Sequence, residues 1–244
     1  MSSTDPSASI QGLLELARAR AQAGDLAGAA RTWEAAIHLA DAHGLPGPEV
    51  AARLAMAERA IKQGQLDEAH AQLDAAWERI SGTEGPDAAE VQGRRGQVLV
   101  FRGELGAGVA EMRAAAQRWE RLGVKDRATE LDLAAQAVEA RVDKAVDEAT
   151  TDDARARSLR MRARLHRSLG DATAAEADLA VAWELQALPQ RLRAGIGSEL
   201  GALLLERGQA DRARTVLSAA RDLGDAHHQA IVDALLAQTG GASA

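Results

Sequence analysis

Residues 63–78, QGQLDEAHAQLDAAWE, decide the fold. Gly64 is followed at five, nine and twelve residues by Ala69, Leu73 and Ala76. Spacings of four and three keep those side chains on one face of a helix, a large residue between two small ones. Asp67 and Glu68 fall in what would be the first turn, at the positive end of the helix dipole. Seven residues before the glycine, Ala57 belongs to an earlier apolar-periodic segment. A glycine between two such segments suits a tight turn that needs a positive φ. The stretch reads as the turn and second helix of a helical hairpin.

The pattern recurs outward in both directions. Gly24, Gly64, Gly103, Gly170 and Gly208 each close one periodic segment and open another, at separations of 40, 39, 67 and 38 residues. Seven residues before them stand Ala17, Ala57, Gly96, Ala163 and Gly201. Five after stand Ala29, Ala69, Gly108, Ala175 and Ala213; twelve after, Ala36, Ala76, Ala115, Ala182 and Ala220. Nine after, the residue is always large: Trp33, Leu73, Met112, Leu179 and Leu217. One matching column means little in an alanine-rich chain, but four together mark a repeat. Small residues let helix axes approach, and the large one fills the space beside them.

A single hairpin cannot bury its own apolar face, so neighbours must stack. The expected fold is therefore all-α, an α-solenoid of about six helix-turn-helix hairpins with a C-terminal capping helix. The hairpins cover residues of about 10–48, 49–87, 88–126, 153–190 and 191–224, with Gly/Pro-rich punctuation at 44–48, 82–86 and 188–189. The long separation between Gly103 and Gly170 suggests a degenerate unit at 127–152, with a second helix of only about 142–150. Residues 225–238 read as the cap, with Ala230, Ile231, Ala234 and Leu235 facing inward. Residues 1–9 and 239–244 read as loose tails.

The small–glycine–small–large–small spacing resembles the tetratricopeptide repeat family over roughly residues 10–230, in a variant longer than the family's usual period of about 34. The resemblance implies hairpins whose first helices line a concave groove that holds segments of partner proteins. It places groove residues 13, 10, 6 and 3 positions before each turn glycine. Those places include Leu14, Arg18, Leu54, Glu58, Ile61, Gln97 and Val100 in the early repeats. Before Gly170 all four are arginine: Arg157, Arg160, Arg164 and Arg167.

That arginine run is the one feature the repeat does not explain. No acid lies between Arg155 and Gly170, and neighbours at i,i+3 and i,i+4 are like-charged, each pair costing about 0.2–0.5 kcal/mol in an isolated helix. Two arrangements would offset the cost. Acids on flanking helices, among them Glu139, Asp143, Glu199 and Glu206, could neutralise the stripe internally. Alternatively an acidic partner segment could occupy it, since guanidinium groups bind carboxylates with two parallel hydrogen bonds.

Composition narrows the function. The 244-residue chain has a net charge of −7, which argues against general nucleic-acid binding, although residues 91–170 hold sixteen basic against twelve acidic groups. It has no cysteine, no run long and apolar enough to span a membrane, and a polar start unlike a secretory leader, so the expected location is the cytoplasm. The six histidines form no H-E-x-x-H pattern, and no phosphate-binding loop or serine elbow occurs, so neither metal, cofactor nor catalysis is expected. The four tryptophans, Trp33, Trp77, Trp119 and Trp183, fall near one face of the second helices and are expected to pack against the following repeat. The leading functional expectation is a protein-interaction scaffold that holds a peptide or partner helix in its groove, with an acidic segment at the fifth repeat. The second is a ligand-gated regulator that switches a partner in trans.

Overall fold

The computed structural model describes residues 5–240, and the tail positions 1–4 and 241–244 lie outside them. The described residues form twelve α-helices and no strand. Five antiparallel hairpins account for ten of these: α1 (Pro6–Gln22) with α2 (Leu26–Ala42), α3 (Pro46–Lys62) with α4 (Leu66–Ile80), α5 (Pro86–Phe101) with α6 (Leu105–Arg121), α8 (Asp152–Ser168) with α9 (Ala172–Glu184), and α10 (Gln190–Glu206) with α11 (Ala210–Arg221). Helices α7 (Lys125–Asp147) and α12 (Ala226–Gly240) stand outside the pairs. The architecture is all-α, an α-solenoid of tetratricopeptide-like hairpins.

Each hairpin turn uses the same chemistry. Gly24, Gly64, Gly103, Gly170 and Gly208 all adopt a left-handed φ, between 72° and 85°. The residue after each glycine donates its N–H to the carbonyl five residues back: Asp25 to Arg20, Gln65 to Ala60, Glu104 to Leu99, Asp171 to His166 and Gln209 to Leu204, each at 2.9 Å. This closes the first helix and starts the second within three residues. Asp25 and Asp171 then cap the second helix, accepting the N–H of Gly28 at 2.8 Å and of Ala174 at 2.9 Å. Pro6, Pro46 and Pro86 open first helices, where a missing N–H costs nothing.

All twenty residues of the four sequence columns are buried. The closest approach is between α5 and α6. A Cβ at Gly96 would lie 2.8 Å from the Gly108 carbonyl oxygen, and one at Gly108 would lie 2.7 Å from that of Gly96. Two backbones in that contact leave no room for a methyl group.

The chain divides into two compact units, residues 1–135 and 136–244. In the first, α2 packs on α3 and α4 on α5, and the first helices touch one another, α1 with α3 and α3 with α5. Its core includes Ile10, Trp33, Ala36, Val50, Leu73 and Val91. In the second, α9 packs on α10 and α11 on α12 around Leu159, Leu179, Ile196, Leu203 and Leu217.

Three details differ from the sequence expectation. The stretch 127–152 is no short hairpin, because α7 is one helix of 23 residues. Leu131, Ala135, Val138, Val142 and Val146 form its buried stripe, an unbroken helical period with no glycine or proline to interrupt it. Helix α1 begins at Pro6, inside the expected tail, because Asp5 caps it by accepting the N–H of Ser7 at 3.0 Å. On α12 the fully buried residue is Val232, while Ile231 is 47% exposed; Leu235 and Leu236 pack against the core.

Candidate partner-binding site

The arginine stripe on α8 is neutralised within its own unit. Arg160 donates from Nε and Nη2 to Glu199 Oε1 at 3.0 and 2.6 Å. Arg164 also reaches Glu199, with Nε 3.3 Å from Oε2, so one carboxylate on α10 serves two guanidinium groups. Arg167 pairs with Glu206, about two helical turns further on the same side of α10. Arg157 turns back along its own helix to Asp153 at 3.0 Å. Arg162, on another face, makes two parallel bonds to the buried Asp178, at 2.9 and 2.7 Å, and a third to Asp143 at 3.2 Å.

Titration follows from these contacts. Burial pushes the Glu199 carboxyl up, but hydrogen bonds from Arg160 and Arg164 outweigh it and hold the group below its usual range. The guanidinium groups of Arg162 and Arg164 are raised, chiefly by hydrogen bonding to Asp178 and Glu199. The spacing that brought four arginines into register also sets three of them, Arg160, Arg164 and Arg167, against acids supplied by α10.

A larger cleft lies elsewhere, on the first unit. It encloses about 610 Å³ and is formed by α1, the start of α2, and α3. Leu14 and Ala21 of α1, Leu26 and Trp33 of α2, and Ala51 and Ala55 of α3 make its apolar lining. Short side chains on α3 leave the space open, and Trp33, only 5% exposed, gives it a rigid back wall. Arg18, Gln22, Glu58, Arg59, Lys62 and Gln63 supply the polar part. Glu58 is paired with Lys62 at 2.8 Å, and Arg59 with Glu68 of α4. The Lys62 hydrogen bond is the main cause of a lowered Glu58 pKa.

The residues expected in the groove separate here. Arg18 lines the cleft. Leu54 and Ile61 are half-buried and pack with Trp77 against the core between α3, α4 and α5. Gln97 borders a much smaller pocket of about 30 Å³, beside Glu90, Gly93 and Arg94. Sequence reasoning did not find the cleft itself, because it comes from the gap between α1 and α3 where alanines face Trp33.

The tryptophans serve packing. Trp33 and Trp119 are buried, and the guanidinium groups of Arg95 and Arg118 both lie over the Trp77 ring, 5.4 and 5.3 Å from its centre. The Trp183 ring covers Gly197 of α10, leaving no space for a Cβ there. His228 Nε2 lies 3.0 Å from Ser198 Oγ, but that hydroxyl donates to the Ala194 carbonyl at 3.1 Å, so the pair joins α12 to α10 rather than forming a nucleophile. Among the described residues no group of three His, Asp or Glu is placed to hold a metal, and no helix is long and apolar enough to cross a membrane.

No protein-family model matches the chain, and no curated protein matches its sequence. Solved structures do resemble it at low sequence identity. A tetratricopeptide repeat protein from Parabacteroides merdae is 17% identical, covering 96% of this chain and 99% of its own, with a TM-score of 0.37. The nearly identical repeats of a putative kinesin light chain from Podospora anserina are 20% identical over 90% and 96%, with a TM-score of 0.39. A thermophilic tetratricopeptide protein from Thermus thermophilus is 17% identical over 93% and 99%, with a TM-score of 0.34.

Proposed function

We propose that the chain is a protein-interaction scaffold without a catalytic role, and that a peptide or partner helix docks in the cleft between α1 and α3. One observation carries this reading: a preformed, mostly apolar cleft of about 610 Å³ opens where the first helices of the first unit lie side by side. Its volume lies in the range of built binding sites, about 300–1,000 Å³. Packed core residues hold its walls, so a partner meets a rigid surface and little ordering entropy is lost on binding. The arginine stripe of α8 supports the reading less well, because intramolecular acids already occupy it.

The test is partner capture from the native host with the full chain as bait, followed by mass spectrometry. Ala51 is exposed at the cleft, so Ala51→Trp fills it without disturbing the core. Specific partners should fall at least about tenfold in yield while helicity and melting temperature stay unchanged, the loss of about 1.4 kcal/mol or more of binding energy. The same partners at the same yield would rule the cleft out.

A further inference from the structure

The charge left over in the first unit identifies the kind of segment the cleft takes. Three charged residues occupy first-helix groove places there: Arg18, Glu58 and Glu90. Glu58 is bound to Lys62, and Glu90 to Arg94 at 2.9 Å and to Arg127. The other cleft cation, Arg59, is bound to Glu68. Arg18 is exposed and, among the described residues, has no side-chain hydrogen bond or ion pair. The side-chain amides of Gln22 and Gln63 lie in the same lining, also without an intramolecular partner. The surface therefore offers one uncommitted guanidinium beside neutral donors and an apolar floor.

Resting on the cleft reading, we propose that its occupant is a peptide segment with an apolar anchor residue and an acidic residue two positions away. The anchor fills the space between Leu14, Leu26 and Trp33, and the acid pairs with Arg18. The spacing follows from geometry. Arg18 is one turn beyond Leu14 on α1, about 6 Å along the axis. Residues two apart in an extended strand point the same way and lie about 6.6 Å apart. A basic segment would meet an unpaired cation, and a wholly apolar one would leave the guanidinium of Arg18 without a partner.

A nine-residue randomised peptide library displayed on phage, selected on the full chain, tests this. Selected peptides are then made synthetically and measured by fluorescence anisotropy on wild type, Arg18→Glu and Ala51→Trp. The expected result is enrichment of an apolar residue and an acid two apart, with affinity lost at least about tenfold in Arg18→Glu and in Ala51→Trp. Arg18→Glu should in turn select basic residues at the acid's position. Peptides lost on Ala51→Trp but unaffected by Arg18→Glu would overturn the acidic partner and leave the cleft reading intact. Peptides indifferent to both changes would overturn both. Failure to enrich any peptide, with laurate bound in the cleft instead, would overturn the proposal in favour of a small amphiphile. Arg18 has no partner to lose, so an unchanged circular dichroism melt should accompany its variant.

Discussion

Glu199 shows how much one side chain decides in this chain. It is partly buried, and without Arg160 and Arg164 its charge would be unfavourable there; with them its folded pKa is depressed. A depressed carboxyl contributes stability that is fully present above its unfolded pKa, about 4.3, and lost as pH falls through the lower folded value. Glu199→Gln should therefore destabilise the protein by about 1–3 kcal/mol at pH 7, because two guanidinium groups lose their shared partner. It should also flatten the acid limb of stability against pH below about 4.3. Urea melts from pH 3 to pH 7 measure both, and coincident curves for wild type and variant would show that the pairs contribute nothing. The sequence made this site half legible. A helix carrying arginine at 157, 160, 164 and 167 asks for acids nearby, and Glu199 and Glu206 were among those available. Which acids reached the stripe depended on how α10 sits beside α8, a packing geometry that one-dimensional spacing does not contain.

The hairpins were legible because every one solves the same two problems with the same residues. A left-handed glycine turns the chain, and a small–large–small face receives the partner helix. Helices α7 and α12 were misread for a different reason. The separation of 67 residues between Gly103 and Gly170 invited a second turn, yet the stripe from Leu131 to Val146 crosses that place without a break. Helix α12 holds AIVDALLA, apolar on most sides, so periodicity could not choose between Ile231 and Val232 as the inward residue. The α7 correction has a direct test. Ala140 is exposed near the middle of the helix, where the expected hairpin would have placed its turn. Proline inside a helix removes a hydrogen bond and clashes with the preceding turn, so Ala140→Pro should cost about 3 kcal/mol. A turn at that position would accept the proline with little change in denaturant midpoint.

Over the whole chain, the four-arginine stripe of α8 is paired locally, and at the candidate cleft Arg18 is the uncommitted cation. Spacing left two readings of the arginine-rich helix open, internal pairing or an acidic partner, because sequence counts charges but not their geometry. In the fold the stripe's cations are paired, while Arg18 is the unpaired cation at the cleft. Charge reversal at the two places should consequently move different measurements. Arg160→Glu with Arg164→Glu sets two acids against Glu199, and should lower unfolding stability by about 2–5 kcal/mol while peptide affinity at the first unit stays at the wild-type value. Arg18→Glu should leave the denaturant midpoint within error and cost peptide affinity at least about tenfold, chiefly through a slower association that is sensitive to salt. The two sets share no ion-pair partner, so their effects should add in the triple mutant within about 0.5 kcal/mol. Loss of peptide binding in the α8 double mutant, with its stability intact, would return recognition to the arginine stripe and assign Arg18 to ordinary solvated surface.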